Sequence, residues 1–270
     1  MTTTNYSLSQ KSISYIRFTI GFSYMAIISV IYIVLALCLL PSRVARIKLG
    51  NIYGSIVGPV VIRIVGSKAV VHHRERITKN RPAIYLSNHT TGLDPLIAIW
   101  LCPTGGCGVA KKEITRIPFF GWAYKLSGHL LIDRSNRERA IASMKKIGDL
   151  VKENNLSIWI WPEGTRSRSG RMLPLKKGFV HLALQTKIPI VPIVVHEGHK
   201  RWHSHKVLLT PGVLEIEVLP PVDTSDWKAE TMDDHIQHIQ NLYNAALSPQ
   251  QQLLTEGEEK SPALDEKPEN

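Results

Sequence analysis

The chain has 270 residues, 44% hydrophobic and 20% charged, which suits a globular protein with a sizeable core and excludes a wholly disordered or collagen-like chain. Its formal net charge is +11, with −4 on residues 256–270 and +15 on residues 1–255, so the body suits a polyanion: anionic lipid, a phosphorylated substrate or nucleic acid. Cys38, Cys102 and Cys107 show no Cys-x-x-Cys spacing, which argues against a disulfide framework or a cysteine zinc site and fits a reducing compartment.

After a tail over residues 1–17, residues 18–40 carry no charge. A helix of that length is about 34 Å long against a hydrocarbon core of roughly 30 Å, so a transmembrane anchor is predicted. The run is longer than a signal-peptide core, and no small-x-small cleavage site precedes Pro41. Lys11 and Arg17 come before it and Arg43, Arg46 and Lys48 after it, which puts the chain beyond it on the cytoplasmic face of the membrane. Ile52–Val65 is a second apolar run, broken by Gly54, Gly58, Pro59 and Arg63. It is expected to form an interfacial or partly buried helix within a helical region over 41–80, or alternatively a core helix.

From residue 81 to 247 strands and helices alternate. Strands are predicted at 83–87, 108–110, 129–133, 157–161 and 190–195, with a hairpin over 207–218 turning at Pro211-Gly212. Helices are predicted at 95–101, where Pro95 takes the first position, and at 119–126, ended by Gly128. Further helices are expected after the Ser135-x-x-Glu138 capping box, at 177–187 and at 232–247. The strand, helix and strand over 129–161 predict a parallel pair. The fold class is therefore α/β, a mostly parallel sheet flanked by helices, with an N-terminal membrane-anchoring helical segment. Residues 248–270, rich in Gln, Glu, Pro and Lys, are expected to be a disordered acidic tail.

Two clusters follow predicted strands directly. In Asn88-His89-Thr90-Thr91-Gly92-Leu93-Asp94-Pro95, His89 and Asp94 would point about 140° apart on a regular helix. Gly92 breaks that helix, and residue 94, preceding a proline, is pushed out of the α region. A tight loop can then aim Asp94 at one imidazole nitrogen, fixing the tautomer and leaving the other nitrogen to take a proton from a hydroxyl. Asp94 is equally well suited to cap the helix that starts at Pro95. The second cluster is Trp161-Pro162-Glu163-Gly164-Thr165-Arg166-Ser167. In open parallel sheets such loops share the carboxyl edge. Glu163 suits a substrate hydroxyl, Thr165 offers a hydroxyl, and Arg166 has a planar fork suited to phosphate.

These residues resemble a known family. Asn-His-x4-Asp with Pro-Glu-Gly-Thr-Arg-Ser is similar to the glycerolipid acyltransferases, most closely the 1-acylglycerol-3-phosphate (lysophosphatidate) acyltransferases. The stretches Lys111-Lys112-Glu113, Ile117–Trp122 and Asp133-Arg134 resemble that family's second block, and Val191-Pro192-Ile193-Val194 its fourth. Trp161 stands where the family usually has Phe, and Thr91-Gly92 where it often has Ser and a bulkier residue. The resemblance implies acyl transfer to the sn-2 hydroxyl of lysophosphatidate, with His89 as general base and Asp94 as its partner. It implies that Glu163, Gly164, Thr165 and Arg166 hold the substrate, helped by Arg134 and Lys112 at the phosphate. The co-substrate would be acyl-CoA or acyl carrier protein, with no bound cofactor and membrane lipid as partner.

Other readings fit less well. His196-Glu197-Gly198-His199, with His203 and His205 beyond, puts its second histidine one position early for a His-Glu-x-x-His zinc motif, so no metal is expected. Arg166, Arg168, Arg171, Lys176 and Lys177 form a basic stretch, but no nucleic-acid-binding signature accompanies it, so no nucleic-acid partner is expected. The remaining alternatives are acylation of another acceptor, such as glycerol 3-phosphate, or plain binding to anionic lipid.

Overall fold

A computed structural model describes residues 7–79, 81–116, 120–133, 137–202 and 207–253 of the chain. Two helices come first, α1 (Leu8–Cys38) and α2 (Arg43–Ile64). Then follow β1 (Ser67–His72), α3 (Glu75–Lys79), β2 (Ile84–Ser87), α4 (Asp94–Leu101) and β3 (Gly106–Lys111). The chain continues through α5 (Phe120–Leu126), β4 (Leu130–Ile132), α6 (Arg137–Asn154), β5 (Ser157–Ile160) and α7 (Gly178–Thr186). It closes with β6 (Ile190–Val195), β7 (Gly212–Val218) and α8 (Met232–Ala246).

The seven strands form one sheet in the order β1-β7-β6-β2-β5-β3-β4. Pairing is parallel throughout except between β6 and β7, so the expected mostly parallel α/β sheet is what the chain adopts. β4 and β5 run parallel, as the unit between them predicts, but β3 lies between them. Side chains alternate across the sheet with the period of two that a strand imposes. Ile84 and Leu86 of β2 face one apolar cluster with Ile158, Ile160 and Val194, built with α6, α7 and α8. Tyr85, Trp159, Val191 and Ile193 face the other, built with α2 and α4. Both faces are covered, so every residue of β2, β5 and β6 is buried.

α1 begins ahead of the uncharged run because Ser7 caps it: the Ser7 hydroxyl accepts from the Gln10 N–H, and the Gln10 side chain accepts from the Ser7 N–H. Both α1 and α2 are long and apolar enough to cross a membrane. α1 lies along α2 and the domain, with Ser29 Oγ 2.8 Å from Tyr53 Oη and the Phe18 ring edge-on to Trp202 at 5.9 Å. Its outer face exposes Ile20, Phe22, Ile27, Ile31, Val34 and Leu37. An exposed apolar face of this extent fits membrane association. Two of the cations after α1 are fastened to the protein. Arg46 Nε donates to Leu126 O (2.7 Å) and its Nη1 to the carbonyls of Leu39 (3.1 Å) and Leu40, while Arg43 Nε donates to Gly128 O (2.9 Å). They satisfy carbonyls that helix ends leave open.

α2 resolves the ambiguity of the second apolar run: it is a helix half-buried against the sheet domain. Gly54 and Gly58 lie on its inner face, where a Cβ would come 2.1 Å from Ile99 O at position 54 and 2.6 Å from Trp100 Cβ at position 58. The glycines that seem to interrupt the run are what let α4 cross at backbone contact. Buried Asn51 bonds both Gly106 O and Gly105 N–H at 2.8 Å, tying α2 to the start of β3.

Three expectations need correction. The region 41–80 is not wholly helical, since Ser67–His72 joins the sheet as β1. Its short alternation escapes notice because it is an edge strand with partly exposed residues. No hairpin forms over 207–218; β7 instead pairs with β1 and β6, and residue Leu209 makes only an isolated bridge to Trp202. The C-terminal tail does not begin at Ser248, because residues 248–253 fold back onto the domain, with Gln251 buried. Residues 254–270 and Ser135 of the capping box lie outside the described residues.

Candidate active site

β2 sits between β5 and β6, and all three run the same way, so the loops leaving their carboxyl ends share one edge. The two motif clusters leave β2 and β5. Asn88 fixes the first loop to the end of β6: its Nδ2 donates to Val195 O (3.0 Å) and its Oδ1 accepts from the Val195 N–H (2.8 Å). The His89 peptide is held to the second loop on both sides. Its N–H donates to Glu163 Oε1 (2.6 Å), and its carbonyl accepts from the Ser167 N–H (2.8 Å).

His89 and Asp94 meet. His89 Nδ1 lies 2.7 Å from Asp94 Oδ2, which also accepts from the Thr91 N–H at 2.9 Å. Asp94 is the first residue of α4, yet Leu93 is the cap residue and makes no side-chain cap bond. The Asp94 carboxylate turns back to the loop, so it serves the histidine and not the helix start. Its side chain is 1% exposed and that of His89 is 13% exposed, so the imidazole reaches solvent beside a buried acid. The second face of the arrangement is Trp161, stacked on His89 with ring centroids 4.6 Å apart and 19° between planes.

Glu163 lies against the histidine loop. It is buried, with Oε1 on the His89 N–H and Oε2 on the Leu173 N–H (2.8 Å). Burial pushes its carboxyl from 4.5 up to about 8, against the pull of those two N–H donors and with a small addition from Asp94. Both of its oxygens accept from the protein's own backbone, so it braces the histidine loop. Gly164 has φ +75°, a left-handed turn that a side chain would strain, and its N–H closes the turn onto Trp161 O (3.1 Å). Thr165 is exposed. Arg166 is partly buried, and its Nε is enclosed with no acceptor among the described residues.

Lys112 follows β3 on the same edge, largely exposed and paired with Asp133 at 3.5 Å, which Arg139 also approaches at 3.7 Å. Arg134 lies outside the described residues, as do His203 and His205. Lys177 pairs with Asp233 at 2.7 Å on the surface. Cys102 and Cys107 are buried, which pushes both thiols well above their ordinary range and removes them as nucleophiles. Among the described residues no group of three His, Cys, Asp or Glu side chains converges as metal ligands. The structure adds roles that motif reading passed over: Asn88 acts through its side-chain amide, and Ser167, Leu173 and Thr91 through their backbone N–H groups. Tyr243 from α8 donates to Leu86 O at 2.7 Å behind the loop.

The chain is similar to proteins of known name. The profile of the acyltransferase family matches residues 68–196, which contain both clusters. The 1-acyl-sn-glycerol-3-phosphate acyltransferase of Limnanthes douglasii is 42% identical over 242 residues, covering 90% of this chain and 85% of that protein. The protein of the same name from Escherichia coli strain K12 is 33% identical over 176 residues, 65% of this chain and 71% of its own. The crystal structure of the 1-acyl-sn-glycerophosphate acyltransferase from Thermotoga maritima superposes with a TM-score of 0.72 at 21% identity, over 87% of this chain and 92% of that one, which establishes the shared fold. The chain is therefore an O-acyltransferase and belongs to the 1-acyl-sn-glycerol-3-phosphate acyltransferase family.

Proposed function

We propose that the protein moves a fatty acyl group from acyl-CoA or acyl carrier protein to the sn-2 hydroxyl of lysophosphatidate, giving phosphatidate. The observation that carries this reading is the 2.7 Å contact between His89 Nδ1 and buried Asp94, with the Arg166–Ser167 peptide fastened to His89. Asp94 holds the Nδ1–H tautomer, so Nε2 is the acceptor for the hydroxyl proton. The substrate oxygen attacks the thioester carbonyl and forms a tetrahedral oxyanion. Collapse breaks the C–S bond, and His89 Nε2 returns the proton to the departing thiolate. No acyl-enzyme is needed, and no resident cofactor or metal takes part.

Arg166 supports a phosphorylated acceptor. A buried guanidinium N–H with no partner among the described residues is costly to enclose, and a phosphate oxygen would satisfy it. Lys112 adds a positive charge on the same edge, with Arg134 next to its partner Asp133 in sequence. The apolar faces of α1 and α2 hold the domain at the bilayer, where both the acceptor and the product reside. The cations that follow α1 favour the cytoplasmic side, where thioester donors are made.

The test is an acyl-transfer assay with purified protein in lipid vesicles, offering lysophosphatidate, glycerol 3-phosphate and other lysolipids in turn, with CoA and carrier-protein thioesters. Thiol release and phosphatidate formation are expected with lysophosphatidate and are lost in a folded His89→Ala variant. Near-normal transfer by that variant refutes the mechanism, and preference for a different acceptor refutes the substrate.

A further inference from the structure

The segment after α8 returns to the sheet edge and inserts one side chain beneath the histidine loop. A turn closed by the Gln251 N–H on Ser248 O (2.8 Å) drives Gln251 inward to 1% exposure. Its main-chain carbonyl accepts from the Met172 N–H (2.8 Å). Its Oε1 accepts from the Glu197 N–H (2.8 Å), and its Nε2 donates over 3.4 Å to Val195 O.

Those partners lead to His89 from both directions. Val195 is the residue that Asn88 grips through its N–H and its carbonyl, and Asn88 immediately precedes His89. On the other side Met172 adjoins Leu173, whose N–H binds Glu163 Oε2, while Glu163 Oε1 binds the His89 N–H. The contacts form a closed ring: His89, Glu163, Leu173 and Met172, Gln251, Val195, Asn88 and back to His89. Four separate stretches of chain meet in it, and Gln251 is the member that joins the loop after β5 to the loop after β6.

We propose that Gln251 is a positioning residue for acyl transfer, holding the two loops at the spacing that places the His89 imidazole. The inference rests on the reading of His89 as the base. Asn88, Glu163, Met172, Val195 and Gln251 are buried, so a bond deleted from the ring leaves a donor or acceptor poorly placed to recruit water in place of the partner. Loss of the Gln251 amide strands the Glu197 N–H and frees the Val195 end from the Met172–Leu173 end. The bond inside the His89–Asp94 pair is untouched, but the loops that carry the pair are no longer braced at a fixed spacing. Proton transfer and attack need reacting atoms about 3–3.5 Å apart, and a displacement of about 1 Å can cost on the order of a hundredfold.

The experiment compares Gln251→Met, which keeps the side-chain length and removes both polar atoms, with Gln252→Ala. Gln252 donates to Asn244 O (2.7 Å) and Leu247 O (3.1 Å), so it caps α8 and takes no part in the ring. Gln251→Met is expected to lower kcat by about ten- to fiftyfold while KM for lysophosphatidate and for acyl-CoA each stay within about threefold. Gln252→Ala is expected to lower the melting temperature with kcat unchanged. If Gln251→Met does not fold, Gln251→Asn, which keeps both polar atoms one methylene short, should show the same loss confined to kcat. Wild-type kcat in either folded Gln251 variant overturns the inference. So does a loss carried by KM, or an equal fall in kcat in Gln252→Ala, which would mark a general destabilisation. His89→Ala run alongside separates the two levels. Activity in His89→Ala overturns both readings, whereas an inactive His89→Ala beside a fully active Gln251→Met overturns only the role of Gln251.

Discussion

Asp94→Asn removes the charge facing His89 and keeps the outline of the side chain. In the native protein Oδ2 accepts from both His89 Nδ1 and the Thr91 N–H, and Oδ1 is buried with no partner among the described residues. An asparagine oxygen in the Oδ2 place keeps both bonds, and its NH2 group then occupies the Oδ1 side, where it finds no acceptor. The loop therefore keeps its shape, at a cost of about 1–3 kcal/mol in stability for the stranded NH2. The larger loss is electrostatic and falls on the step in which His89 carries the hydroxyl proton. With charge centres roughly 4 Å apart and an effective dielectric near 20, the carboxylate stabilises the imidazolium by about 4 kcal/mol. At 1.36 kcal/mol per factor of ten, kcat should fall by about a thousandfold. Initial rates of thiol release at saturating lysophosphatidate and acyl-CoA, with melting curves to establish folding, measure this. KM for both substrates should stay within about threefold, since the lost interaction belongs to the transition state. A folded Asp94→Asn variant with kcat within about tenfold of wild type refutes the assignment of Asp94 as the partner of the base.

Glu163→Gln tests the buried brace through pH. Because the fold raises this carboxyl from 4.5 to about 8, its contribution to stability is fully present below about 4.5 and is lost as pH rises through about 8. The variant cannot ionise, so the stability difference between wild type and variant, measured by denaturant unfolding, should move in the variant's favour from pH 5 to pH 8.5. An unchanged difference would show that Glu163 does not bind its proton more tightly in the fold. Arg166→Lys keeps the charge and loses the planar fork, so KM for lysophosphatidate should rise by about tenfold while KM for acyl-CoA is unchanged. Equal changes for both substrates would remove Arg166 from the acceptor site.

Local pattern made much of this protein readable. β6 occupies the predicted Ile190–Val195, and β2, β5, α4 and α8 fall within a residue or two of expectation, because strong alternation, Pro95 at a helix start and an amphipathic face are written in neighbouring residues. β1 and the absence of a hairpin before β7 were not readable in this way. β1 pairs with a strand far along the chain, and the register of Ser67 with Gly212 has no local signature. The same distinction runs through the site. His89 and Asp94 could be judged together because they share one short loop, whereas the meaning of Glu163 depends on Leu173 and on burial that no motif encodes.

Gln251 shows the limit most clearly: in a stretch rich in polar residues, composition points to disorder, and only the return of the chain to Val195 and Met172 makes it part of the core. The sequence determined the alternating architecture, the apolar N-terminal helices and the chemical groups at the strand ends, since each follows from spacing along a few turns or strands. The tertiary structure decided which carboxylate serves the imidazole and which serves the backbone. It also decided which glycines are contact points between helices and where the domain ends. Those outcomes depend on solvent exclusion and on partners brought together across the sheet, and both exist only once the chain is folded.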